Sequence, residues 1–177
     1  MKLVYRIQKN EYAQSRNAIL SGIGASINGG RWNQKGISLI YTSATPELAA
    51  LENQVHLVGI PYDKIPPLVL ITLQIPDSIL EVKIDKLPPN WNNLTISQET
   101  QEFTKIWLKK NEFLAMQIPS VVMQKSSNLL LNPNHRLMDE VNIIDIETFK
   151  FDPRLFIDPK PLLLNNVIMD ILGFESQ

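Results

Sequence analysis

The apolar positions of this chain fall into short runs whose spacing switches between two and three-to-four. Leu3 to Ile7 alternates as a half-buried strand does, and Ile37 to Thr42 is a short apolar run suited to a buried strand. Thr45 then offers an N-cap and Pro46 a first helical position for a helix through about Leu57, with Leu48, Leu51 and Val55 as its buried stripe. Pro67 to Ile75 is the strongest strand pattern, and Ile79 to Ile84 predicts a further strand. Pro88, Pro89 and Asn90 mark a turn. Thr95 and Gln98 resemble a capping box for a helix from about Ser97 to Lys110, with Phe103, Ile106 and Trp107 on one face. Phe113 to Gln117 and Ser120 to Gln124 read as strands either side of Pro119. Asn128 to Leu131 and Asn142 to Ile146 are two more. Pro161 to Leu172 is amphipathic enough for a closing helix.

Strands and helices in this order do not alternate regularly. That pattern predicts an α+β fold with a mixed or antiparallel sheet, not a doubly wound parallel one. At 177 residues, with no internal repeat and no clear linker, the chain reads as one domain. The Ala/Ser/Asn/Gly-rich stretch from Ser21 to Gly30 reads as a long loop, and long loops in compact domains are often functional.

Composition narrows the function classes. Apolar residues at 44% and charged residues at 20% suit a globular chain, and there is no tract of like charge to suggest disorder. The net charge of −1, with both signs interspersed, argues against a nucleic-acid backbone as the main ligand. With no cysteine, disulfides, thiolate nucleophiles and Cys-type zinc sites are excluded. Only His56 and His135 are available for histidine chemistry, and His56 reads as an ordinary helix residue. No run has the length of a membrane span, and Met1 to Ile7 lacks the apolar run of a signal peptide, so the chain is expected in the cytoplasm.

Phosphate-loop, dinucleotide-fingerprint, zinc-protease and nucleophile-elbow signatures are absent. What stands out is Gly29-Gly30-Arg31-Trp32-Asn33. The glycines permit close approach of a ligand to the backbone, and Arg31 supplies a planar fork of donors for phosphate or carboxylate. Tyr41-Thr42-Ser43 closes a buried-type strand. Glu52 falls on or beside an apolar helical stripe, where a carboxylate needs a partner or a job. Pro119-Ser120 and Asn128 to Pro133 put small polar groups at the ends of later strands. Each feature also has a purely structural reading: a solvated turn arginine, a core tyrosine, a salt-bridged glutamate, a turn serine.

As an ordered set, these segments resemble the RES-domain family, the toxin components of RES–Xre toxin–antitoxin modules. The likeness runs from Tyr5-Arg6 to about Leu155. It passes through Leu20-Ser21-Gly22-Ile23-Gly24-Ala25, the Gly29 to Asn33 motif, Ile40-Tyr41-Thr42-Ser43, Leu48-Ala49-Ala50-Leu51-Glu52 and Val55-His56-Leu57. It continues with Leu87-Pro88-Pro89-Asn90-Trp91, Pro119-Ser120, Asn128 to His135 and Phe151-Asp152-Pro153-Arg154-Leu155. On this reading residues 1–155 form the RES domain, and residues 156–177 a helical extension packed on it.

The resemblance implies a fold similar to ADP-ribosyltransferases and an NAD-consuming enzyme, with NAD as substrate and no other cofactor or metal. The family's arginine, glutamate and serine fall on Arg31, Glu52 and Ser120. It also implies an Xre-type helix-turn-helix antitoxin as partner, covering the site, and allows a homodimer in that complex. Glu52 would stabilise positive charge on the ribose as the nicotinamide–ribose bond breaks. Arg31 would pair with the pyrophosphate or fix Glu52, Tyr41 would stack on nicotinamide, and Ser120 would orient the ribose or Arg31. Asn128 joins Arg31, Tyr41 and Ser120 as a residue expected to bind NAD. NAD hydrolysis is the leading expectation. Transfer of ADP-ribose to a cellular protein is the alternative, and a non-enzymatic binding protein with a RES-like fold is the rival.

Overall fold

In a computed structural model of the chain, residues 1–156 are described. Among these residues, seven strands form one sheet in the order β4-β5-β6-β2-β1-β3-β7. They are β1 (Lys2–Lys9), β2 (Ile40–Ser43), β3 (Leu68–Ile75), β4 (Ile79–Glu81), β5 (Ala115–Pro119), β6 (Ser127–Leu131) and β7 (Asn142–Phe149). All neighbours run antiparallel except β4 and β5, which are parallel. The mixed, mainly antiparallel α+β architecture expected from the element order is the one observed.

Cross-strand register decides what each face of the sheet carries. Side chains alternate along a strand, so directly paired residues share a face. Val4, Ile40, Ile71, Leu73, Ala115, Leu129 and Leu131 line one face and join the largest core cluster, covered by Ile19 and Leu20 of α1 (Arg16–Leu20) together with Met138 and Val141. Arg6 enters this face too. Its Nη1 donates to the Ile19 carbonyl at 3.0 Å, and burial pulls its pKa down to about 10, so it remains a cation at neutral pH.

The opposite face is split. Under one end, Met116, Ile118 and Leu130 pack with Trp32, Leu39, Leu87 and Trp107; under the other, Ile7 and Leu68 pack with Ala49 and Phe151. Between the two clusters runs a row set by the pairs Tyr5↔Ser43, Ser43↔Asn128 and Asn128↔Ile118. Ser43 and Asn128 thus place polar groups in a seam between two apolar patches.

Helix α3 (Pro46–Gln54) crosses this face. Thr45 caps it, its hydroxyl accepting from the Leu48 N–H at 3.2 Å, with Pro46 in the first turn as the sequence predicts. The helix stops at Gln54, short of Leu57, and Val55 is exposed; the buried positions are Leu48 and Ala49. Helix α4 (Gln98–Lys110) covers the Trp32 cluster. Its cap is Ser97, not Thr95, and its buried face is Thr100, Thr104 and Trp107, while Ile106 points to solvent.

Two expectations are overturned outright. The stretch from Ser21 to Gly30 is not a long loop, because Ile23–Asn28 forms α2. Its small residues and its solvent-facing Ile23 and Ile27 gave no readable apolar stripe. Gly22 starts it at a positive φ of 64°, where a Cβ would sit 2.7 Å from the Leu39 nitrogen. Ser120 to Gln124 is not a strand either. It belongs to the connection between β5 and β6, closed by the Ser120 N–H on the Ser126 carbonyl at 2.8 Å and turned at Lys125 with φ 64°. Smaller shifts follow the same logic: β2 begins only at Ile40, and β4 ends at Glu81. The expected helix from Pro161 to Leu172 lies outside the described residues.

At the sheet edge, β7 carries Asp145 and Glu147 and a bulge opposite Thr72/Leu73. Acidic side chains and a bulge both discourage another strand from pairing there.

Candidate active site

The site begins with the turn that carries Arg31. Gly29, at φ 71°, closes α2, and the Gly30 N–H then donates to the Asn33 carbonyl at 2.8 Å, leaving Arg31 and Trp32 as the corner residues. Gly30 is a glycine for a steric reason: a Cβ there would lie 2.7 Å from the Tyr41 hydroxyl and 3.1 Å from Asn33 Oδ1. That hydroxyl donates to Asn33 Oδ1 at 2.7 Å and accepts from the Trp32 N–H at 3.2 Å. Asn33 is almost wholly buried, and its Nδ2 donates to the Ala25 and Ile37 carbonyls at 2.8 and 2.9 Å. One amide side chain thereby ties α2, the turn and β2 together.

Burial raises the Tyr41 pKa well above the ordinary phenol value; the Trp32 N–H and the nearby Arg31 charge oppose the shift without cancelling it. Tyr41 therefore stays protonated and keeps its donor role.

Arg31 sends Nη1 to the Trp91 carbonyl at 2.8 Å. Among the described residues this is its one side-chain hydrogen bond, so the guanidinium keeps donors for an incoming anion. Trp91 is itself held by stacking on Trp32, with ring centroids 6.5 Å apart. The loop from Leu87 to Trp91 thus fixes one corner of the guanidinium fork.

Glu52 lies on α3, half-buried above the polar seam. Its Oε1 accepts from Ser120 Oγ at 2.7 Å and from Asn128 Nδ2 at 2.5 Å. Ser120 Oγ in turn accepts from the Val122 and Met123 N–H groups at 3.1 and 2.9 Å. Its single proton and both acceptor directions are occupied, and the hydroxyl is aimed at Glu52. Asn128 Oδ1 accepts from Ser43 Oγ at 2.8 Å. Three side chains hold one carboxylate oxygen, two directly and Ser43 through Asn128. The other oxygen, Oε2, makes no hydrogen bond among the described residues.

Arg31 and Glu52 are not ion-paired with each other. They are joined through β2, whose Tyr41 supports the arginine turn and whose Ser43, two residues on and on the same face, supports the glutamate network. Of the residues singled out in the sequence, Glu52, Ser120 and Asn128 come together in direct contact, and Arg31 and Tyr41 meet through the Gly30–Asn33 turn. Ser120 touches Glu52 rather than Arg31. The sequence did not single out Ser43 for this network, although its two-residue offset from Tyr41 on a strand was a usable signal. His135 is buried, its Nδ1 accepting from the Leu137 N–H at 3.2 Å, and His56 is exposed beyond the end of α3.

An open groove of about 490 Å³ lies on the other flank of α3, between Pro46, Ala50 and Leu51 and the corner formed by Phe149, Phe151 and Leu155. None of the five candidate residues lines it.

Comparison with known proteins agrees with the likeness read from the motifs. The RES domain family model matches residues 3–152, and the chain belongs to the RES-domain family. A Sphingobium sp. protein named Prs ADP-ribosylating toxin is 32% identical over 77% of this chain and 86% of its own length. A Yersinia enterocolitica protein named Toxin Res is 32% identical over 86% of this chain and 99% of its own. A chain from the crystal structure of the M. tuberculosis MbcT–MbcA toxin–antitoxin complex superposes with a TM-score of 0.69, covering 88% of this chain and 86% of that one. At 15% identity that likeness speaks for the fold. No helix among the described residues is long and apolar enough to cross a membrane.

Proposed function

We propose that this chain is the toxin of a toxin–antitoxin module and that it cleaves the nicotinamide–ribose bond of NAD, with water as the acceptor. The observation that carries the reading is the asymmetry of Glu52: one carboxylate oxygen is held by Ser120 and Asn128, and the other has no donor among the described residues. Breaking the bond between the ribose C1′ and the nicotinamide nitrogen sends the electron pair to the ring and leaves positive charge on the ribose. A fixed carboxylate beside that centre stabilises the charge as it develops. Water then adds to C1′ and gives up a proton, yielding ADP-ribose. Arg31, anchored at one Nη and with no further side-chain bond among the described residues, is suited to the pyrophosphate. Tyr41 and Ser120 hold these two groups in place, and NAD is a substrate with no separate cofactor required.

The name of the Sphingobium relative favours a second reading, transfer of ADP-ribose to a protein. The two differ only in what attacks C1′. The toxin–antitoxin assembly of the structural neighbour supports an antitoxin partner for this chain, and the family likeness supports an Xre-type one. Such a toxin would act in the cytoplasm, where NAD is drawn upon.

NAD labelled on the adenine, added to the purified protein together with cell extract, separates the readings. Hydrolysis predicts that nearly all label becomes free ADP-ribose at the same rate with or without extract. Label that stays in intact NAD until extract is added, and then appears on one protein band, would replace hydrolysis by transfer.

A further inference from the structure

Three consecutive residues of α4 contact the arginine turn and the residue that follows it. Thr100 Oγ1 lies 2.7 Å from the Arg31 carbonyl and 2.8 Å from the Ser97 carbonyl, and shares its one proton between them. Gln101 Nε2 donates to the Gly30 carbonyl at 2.8 Å and to the Asn33 carbonyl at 3.2 Å. Glu102 Oε1 accepts from Gln34 Nε2 at 3.0 Å. Successive helix residues point about 100° apart, so contacts from three in a row mean that the turn wraps the first turn of α4.

Docking of α4 does not need these bonds. Thr104 and Trp107, further along, bury the same helix against the sheet, with Trp107 in the cluster of Trp32, Met116 and Leu130. Thr100 and Gln101 instead direct their polar groups at main-chain carbonyls of Gly30, Arg31 and Asn33, in the turn that carries Arg31. Thr100 is fully buried, so no water competes for its hydroxyl and its proton stays with the Arg31 and Ser97 carbonyls. The Arg31 side chain is therefore fixed at both ends: its main chain by α4, and its Nη1 by the Trp91 carbonyl.

We infer that Thr100 and Gln101 are positioning residues for Arg31, setting how tightly the site takes up the pyrophosphate of a dinucleotide. This rests on the NAD reading above. They touch no reacting atom and act only through the placement of the guanidinium.

The test compares Thr100→Val, Thr100→Ser and Gln101→Ala, each alone and combined with Arg31→Ala, by KM and kcat for nicotinamide release. Thr100→Val and Gln101→Ala are expected to raise KM about tenfold with kcat changed no more than about twofold, the pattern of lost uniform binding. Thr100→Ser, which keeps the hydroxyl, stays close to wild type. In the Arg31→Ala background neither variant raises KM further, because the group they position is gone. Increases in KM that add to that of Arg31→Ala, or an unchanged KM with only a lower melting temperature, would overturn the inference.

Hydrogen exchange at the Gly30 and Trp32 amides separates this inference from the NAD reading. Faster exchange in Thr100→Val and Gln101→Ala, with no turnover by the wild type, upholds the clamp and removes the substrate assignment. Unchanged exchange in both variants overturns the clamp whatever the turnover.

Discussion

Replacing Glu52 by glutamine is expected to lower kcat for NAD cleavage about a thousandfold while moving KM only a few-fold. Glutamine has nearly the same shape, and its amide oxygen still accepts from Ser120 and Asn128 at the Oε1 position. What changes is the other terminal atom. An open anionic oxygen becomes a neutral N–H₂ group, unable to stabilise positive charge on the ribose. A thousandfold loss corresponds to about 4 kcal/mol of transition-state stabilisation, within the range measured for removal of a preorganised electrostatic partner. Because Arg31 and Tyr41 are untouched, binding is largely kept. Initial rates of nicotinamide release, with a thermal melt showing that the variant folds, check this outcome. A kcat within about tenfold of wild type would mean that Glu52 does not face the reacting centre.

Asn33→Asp is expected to cost about 3 kcal/mol or more in folding stability. The change is close to isosteric, so no cavity or clash contributes. Nδ2 is the donor to the Ala25 and Ile37 carbonyls, and an aspartate presents an acceptor to both. It also places a buried negative charge with only the Tyr41 hydroxyl to receive it. Protonation of the aspartate recovers at most one of the two bonds, which limits the damage without removing it. In a chain of this size each kcal/mol lowers the melting temperature by roughly 2–4 °C, so a fall on the order of 10 °C is expected. NAD affinity should fall in parallel, since the same amide ties the Arg31 turn to α2 and β2. Urea titration and NAD binding measured on one preparation test both halves. Stability within about 1 kcal/mol of wild type would show that Asn33 does not staple the turn.

The strands were legible in the sequence where alternation was strong and the partner strand sat next to a buried face. Leu68–Ile75 is the clearest case: it runs between two neighbours, β1 and β7, and its Val69, Ile71 and Leu73 face the main core. Helix α3 was legible from local chemistry, Thr45 and Pro46, but its end was not, because the helix breaks before the last apolar residue of its apparent stripe. Helix α2 was hidden. Its stabilising contacts come from Asn33, which reaches back to the Ala25 carbonyl, and from a left-handed Gly22, neither of which has a 3.6-residue signature.

The candidate site divides in the same way. Arg31 was visible from its glycine neighbours, and Glu52 from its awkward place beside an apolar stripe. The connection between them was not visible, because it depends on register. Ser43 meets Asn128, and Ser120 meets Glu52, only after β6 pairs with β2 and the β5–β6 connection folds back over α3. Partners more than sixty residues apart leave no local trace. Thr100 and Gln101 were likewise read only as helix residues, since nothing near them in the chain indicates that the Gly30–Asn33 turn lies against them.

The most direct test is nicotinamide release from NAD by the purified protein alone, with no antitoxin and no acceptor protein, alongside Arg31→Ala and Glu52→Ala. The account predicts many turnovers by the wild type, with ADP-ribose and nicotinamide formed in equal amounts, almost none by Glu52→Ala, and a rate for Arg31→Ala that is far below wild type at low NAD through a raised KM. Intact NAD with the wild type, or equal slow loss in all three proteins, would contradict it.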